Sequence, residues 1–129
     1  MRFFSALVTA ASVALVSAQE ALRFGILHYS PTGPLTPNEV ITVNYNSTPA
    51  FNQPLFVDFY LAGKFSNGNA APNLLLSRNT YGASQTLLVQ NETLPDFTFL
   101  GDVTYVVWAS VIYSQDGLTE IGGVEGLDV

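Results

Sequence analysis

Residues 40–46 run Val40-Ile41-Thr42-Val43-Asn44-Tyr45-Asn46, apolar and polar side chains alternating without a break. Successive side chains of an extended strand point to opposite faces, so Ile41, Val43 and Tyr45 make a core face and Thr42, Asn44 and Asn46 a wet one. The same parity continues in Leu55–Leu61, where Leu55, Val57, Phe59 and Leu61 are expected inward and Phe56, Asp58 and Tyr60 outward. Further apolar runs rich in Val, Ile, Leu, Tyr and Phe are separated by Pro, Gly and Asn clusters, and none holds a helical period. The predicted strands are Leu22–Tyr29, Val40–Asn46, Leu55–Leu61, Leu74–Arg78, Thr86–Gln90, Thr104–Tyr113 and Leu118–Val124. Seven short strands at this spacing predict an all-β fold, an immunoglobulin-like antiparallel sandwich of two sheets.

The breaks between strands have their own chemistry. Pro31-Thr32-Gly33-Pro34 and Pro37-Asn38 end the first strand, since proline lacks a ladder donor and glycine permits positive φ. Asn67-Gly68 and Asp116-Gly117 are tight-turn dipeptides; the second sits between two apolar runs and predicts a hairpin joining the last two strands. The longest irregular stretch is Lys64–Asn73. Tyr105, near the start of the penultimate strand, stands where immunoglobulin-like sandwiches carry a corner tyrosine.

The chain opens with the marks of export. Arg2 precedes an apolar run ending in Val16-Ser17-Ala18, too short to span a bilayer and closed by a small-x-small boundary. Residues 1–18 are therefore expected to be a secretory signal peptide cleaved before Gln19, leaving residues 19–129 as a single β-sandwich domain, secreted and extracellular. These 111 residues keep Arg23, Lys64 and Arg78 against ten acidic residues, a net charge of −7. Nucleic acid and anionic membranes would repel such a surface. Cysteine is absent, so packing rather than disulfides must supply stability. The last nine residues lack the long apolar tail of a lipid-anchor signal, and a freely diffusing monomer without membrane anchor is expected.

With the leader, the segment Ser30-Pro31 followed by Leu35-Thr36-Pro37-Asn38-Glu39-Val40-Ile41-Thr42-Val43, and the long strand Tyr105–Tyr113 after an acidic-glycine turn, the mature chain loosely resembles the necrosis-inducing secreted effector family of fungi. The resemblance implies a fungal extracellular protein with an immunoglobulin-like fold. In some members it implies an effector that suppresses host immunity by contacting receptor kinases. It carries over no site residues. The hairpin strand after Asp116-Gly117 departs from the family pattern.

Asn46-Ser47-Thr48 and Asn91-Glu92-Thr93 satisfy the N-x-Ser/Thr rule, making Asn46 and Asn91 candidate glycosylation sites of a glycoprotein, with Asn46 favoured because it lies on a wet face. Catalytic patterns are missing. Asp58, Asp96, Asp102, Asp116 and Glu120 are scattered, whereas glycoside hydrolysis needs two converging carboxylates; turn capping and solvation account for them. A calcium loop through Asp96 and Asp102 lacks the dense acidic spacing such loops use. His28 is the only histidine, and a zinc site without cysteine has too few ligands. No Gly-x-Ser-x-Gly elbow accompanies His28, and no phosphate-cradling glycine motif occurs. No catalytic residue, metal or cofactor is expected.

The aromatic residues point elsewhere. If Tyr105, Val107, Ala109 and Val111 face the core, then Val106, Trp108, Ser110 and Ile112 face out. An immunoglobulin-like order makes the third and sixth strands neighbours, which brings Phe56, Tyr60, Trp108 and Ile112 together as an exposed binding patch. The alternatives are the opposite parity, with Trp108 filling the core, or a patch covered by the 64–73 segment. The expected function is a non-catalytic, effector-like binding protein engaging a host or cell-wall-associated partner. The other readings are a carbohydrate-binding module, whose sugars stack on aromatic rings, and a small glycan hydrolase.

Overall fold

The computed structural model describes residues 23–128; the expected leader, its cleavage site and Leu22 lie outside the described residues. Strand dominates the described residues. In order come β1 (Ile26–Ser30), β2 (Val40–Asn46), β3 (Pro54–Phe65), β4 (Leu74–Thr80), β5 (Leu87–Thr93), a 3-10 turn at Thr98–Leu100, β6 (Val103–Gln115), β7 (Leu118–Glu125) and the two-residue β8 (Leu127–Asp128). They form two sheets, ordered β5-β2-β1-β8 and β4-β3-β6-β7. Every pairing is antiparallel except the short one between β1 and β8. The two inner faces meet in one core, with Leu27, Ile41, Val43 and Tyr45 from the first sheet and Val57, Phe59, Leu61 and Val107 from the second all at 0–1% exposure. Each such side chain contributes about 1.5–3 kcal/mol on burial, and the alternation seen in the sequence is what delivers them to one side.

Turn chemistry sets the registers. Asp116 and Gly117 both take positive φ, 53° and 78°, the combination of a type I′ turn whose twist matches the strands it joins. The predicted hairpin results, with Gln115 opposite Leu118 and Trp108 opposite Glu125. Gly68 turns the chain after Phe65. Here the structure extends the sequence reading: β3 continues to Phe65, and the segment expected to be irregular folds back to bridge Lys64 with Ala70.

Two expectations are corrected. Leu55 does not face the core: it is 44% exposed, and Pro54 takes the buried position instead. Pro54 opposes Tyr113 while Phe56 opposes Ile112, so Leu55 is an extra residue on β3, a bulge that resets the side-chain alternation. The Leu55 carbonyl is used on the other side, accepting the Tyr81 amide at 2.9 Å. Tyr105 is buried as expected, but its hydroxyl donates to the Pro72 carbonyl at 2.7 Å, in the connection between β3 and β4. A corner tyrosine bonds a few residues upstream; this one crosses to a different connection, its ring edge-on to Phe97 at 5.1 Å.

At the β4/β5 side of the molecule the sheets are joined by polar groups. Ser77 Oγ donates to Glu92 Oε1 at 2.5 Å, and Gln90 Nε2 donates to Asn79 Oδ1 at 2.5 Å. Asn79 Nδ2 also donates to the Val57 carbonyl at 3.1 Å, and Glu92 is only 7% exposed. Buried polar atoms need such partners. At the other side the chain passes from β7 through Gly126, whose amide donates to the Val107 carbonyl at 2.7 Å, into β8 beside β1.

Candidate binding face

The outer face of the second sheet is built by register. Leu75, Tyr60, Trp108 and Glu125 stand side by side across β4, β3, β6 and β7. Two residues along β3, β6 and β7, and three along β4, come Arg78, Asp58, Ser110 and Gly123, and two further on Thr80, Phe56, Ile112 and Ile121. The four predicted residues therefore share a face: Phe56 is 39% exposed, and Tyr60, Trp108 and Ile112 are half-buried. Tyr105, Val107, Ala109 and Val111 are buried, so Trp108 points away from the core.

They do not form one continuous patch. Between the Tyr60–Trp108 row and the Phe56–Ile112 row lies an ion pair in which Arg78 Nε and Nη2 donate to Asp58, the closest contact being 2.9 Å from Nη2 to Oδ2. The bond to Asp58 holds the Arg78 guanidinium above its ordinary pKa. Covering by Arg78 explains why Asp58, on an outward position, is nevertheless 7% exposed. Two exposed residues extend the rows and went unread in the sequence, Leu75 at 65% and Ile121 at 72%. Leu75 reaches this face because β4 carries its own irregularity: Phe59 opposes Ser77 but Tyr60 opposes Leu75, which leaves Leu76 turned toward the core.

Beside Trp108 the face is hollowed. Tyr60, Ala62 and Lys64 alternate outward on β3 opposite Trp108, Val106 and Thr104 on β6. The small Ala62 between two large neighbours leaves a trough of about 600 Å³ bounded by Tyr60, Trp108, Lys64, Thr104 and Glu125. Desolvation raises the Tyr60 phenol above its ordinary value, so its hydroxyl keeps its proton further into the alkaline range. The Trp108 indole leans over β7: its Cε3 and Cζ3 lie 3.5 Å from where a β-carbon on Gly123 would stand.

The remaining candidates lie apart from this face. Asn46 and Asn91 occupy outward positions on the first sheet, opposite Leu87 and Thr42. Asn46 Oδ1 accepts the Thr48 amide, and Asn91 Oδ1 accepts the Thr42 hydroxyl, both at 2.9 Å. His28 sits on that same sheet opposite Asn44, with Ser30 and Thr42 around a smaller hollow of about 290 Å³. Asp96 accepts the Thr98 hydroxyl and amide, which holds its carboxyl below the usual range, and Asp116 belongs to the hairpin turn. Among the described residues no three His, Cys, Asp or Glu side chains gather into a metal-binding group. No protein-family profile matches the chain, and no curated protein matches it in sequence.

Proposed function

We propose that this chain is a secreted, non-catalytic binding protein that engages an extracellular partner, host or cell-wall-associated, through the outer face of its second sheet. The observation that carries the reading is the direct cross-strand pairing of Tyr60 with Trp108 at the edge of a trough. Large amphipathic rings set in a concavity with a few polar groups are what ligand sites use, and desolvating Trp or Tyr at the centre of an interface contributes on the order of 2 kcal/mol each. An immunoglobulin-like topology is supported by the strand orders. With β1–β7 taken as strands A, B, C, C′, E, F and G, the sheets become E-B-A and C′-C-F-G. The likeness to fungal necrosis-inducing effectors supports a protein partner. The trough, with Tyr60 and Trp108 on its lining and an apolar floor of Ala62 and Val106, supports the second reading, a carbohydrate-binding module.

Glycans on Asn46 and Asn91 would cover the first sheet and leave the trough free, since both asparagines point away from it. The deciding experiment incubates the exported protein in parallel with host extracellular extract and with insoluble polysaccharides. Wild type should be retained by one of them, and Trp108→Ala and Tyr60→Ala should both lose retention. Retention unchanged in both variants refutes this face as the binding surface.

A further inference from the structure

We propose that the trough beside Trp108 takes a neutral, extended polysaccharide chain, an assignment that rests on the outer face of the second sheet being the binding surface. Its length follows from the strand: Thr104 and Trp108 are four residues apart on β6, about 13 Å, so a run of several sugar residues fits and a single monosaccharide does not fill it. The floor is apolar, with Ala62 paired to Val106, and the Tyr60–Trp108 pair lines one end. Sugar C–H faces pack on such surfaces while their hydroxyls need donors and acceptors.

Those groups are present at both ends. The Lys64 ammonium and Thr104 hydroxyl stand at one end, and the Glu125 carboxylate stands beside Trp108 at the other. Among the described residues the ion pair found is Arg78 with Asp58, so neither Lys64 nor Glu125 is neutralised by a protein partner. One positive and one negative group at opposite ends leave the trough with no net charge. A polyanion is repelled by the rest of the molecule, −7 after the leader, over distances up to a Debye length of about 8 Å. A polycation is drawn by the molecule's net charge, but within the trough its repeated ammonium groups meet one carboxylate, Glu125, and the like-charged Lys64, so no row of acids matches them there. A hydroxyl-rich neutral chain satisfies both ends.

The exported protein should be titrated calorimetrically with cellohexaose, laminarihexaose and chitohexaose as neutral probes, and with hexagalacturonate and the chitosan hexamer as charged ones. At least one neutral probe should bind about tenfold or more tighter than either charged one. Lys64→Gln and Glu125→Gln, both at exposed positions, should each weaken that binding severalfold without moving the melting temperature, and Trp108→Ala should abolish it. These two exposed variants keep the test decisive even if Trp108→Ala folds poorly. Tighter binding of a charged probe overturns the assignment. So does binding of no oligosaccharide while Trp108-dependent retention of an extracellular protein persists, which leaves the surface itself standing. Neutral binding indifferent to Lys64, Glu125 and Trp108 together overturns both.

Discussion

Trp108 and Phe59 sit on neighbouring strands with opposite orientations, and that difference decides what each is for. Phe59 is fully buried between the sheets, so Phe59→Ala should cost about 3–5 kcal/mol, the range of core aromatic truncations. Trp108 is half-buried and rests on the β7 backbone at Gly123; Trp108→Ala should cost about 1–2 kcal/mol. Urea unfolding of the two variants checks the pair. A loss for Trp108→Ala equal to that of Phe59→Ala would mean the indole is a core side chain. The sequence left this orientation open, because both parities of β6 are apolar, Tyr105, Val107, Ala109 and Val111 on one and Val106, Trp108 and Ile112 on the other. Burial of the first set decides it. Nor did the sequence show the Asp58–Arg78 ion pair that splits the face, since the partners are twenty residues apart and meet only through strand pairing.

Among the elements β3 is the instructive one. Strict alternation assigns Leu55 inward with Val57, Phe59 and Leu61, yet the bulge at Leu55 puts it among the exposed residues. Leu55→Ala should therefore cost under about 1 kcal/mol, as surface changes do, whereas Leu61→Ala, at 0% exposure, should cost about 2–5 kcal/mol. Equal losses in thermal unfolding would restore the unbroken alternation. Bulges are written in the pairing of two strands, and no local pattern announces them. On the first sheet, β2 and β5 carry both sequons on one outward face. Glycopeptide mapping should find glycan at Asn46 and Asn91, and enzymatic deglycosylation should leave binding at the trough unchanged.

For the molecule as a whole, stability should fall at high pH. Burial pushes the phenols of Tyr45 and Tyr105 above their ordinary value of 10.0, and the hydrogen bond with Glu120 does the same for Tyr113. Tyr45 moves furthest, with its hydroxyl donating to the Phe24 carbonyl and its ring edge-on to Tyr81 at 5.7 Å. The folded state then keeps protons that the unfolded chain releases. The stabilisation from these groups is complete below the unfolded value near 10 and is lost as pH rises through the folded ones. The urea midpoint should hold steady toward pH 10 and fall beyond it, while tyrosinate absorbance should lag behind that of the denatured chain. Reductant should leave the melting temperature unmoved, because the chain contains no cysteine.

The sequence by itself determined the all-β character, the hairpin at Asp116-Gly117 and the core parity of β2, because these are local: side-chain period and turn dihedrals act within a few residues. The buried face of β6 and the added strand β8 came only with packing. Which strands pair, and so which outward residues become neighbours, was decided only by the tertiary structure. Tyr60 meets Trp108, Lys64 meets Thr104 and Glu125 stands beside Trp108 through registers linking segments far apart in the chain. The trough exists because a small residue, Ala62, falls between two large ones on one strand and faces Val106 on the next. A hollow belongs to two strands at once, and its depth is set by their side chains only after the backbone has brought them to the same face.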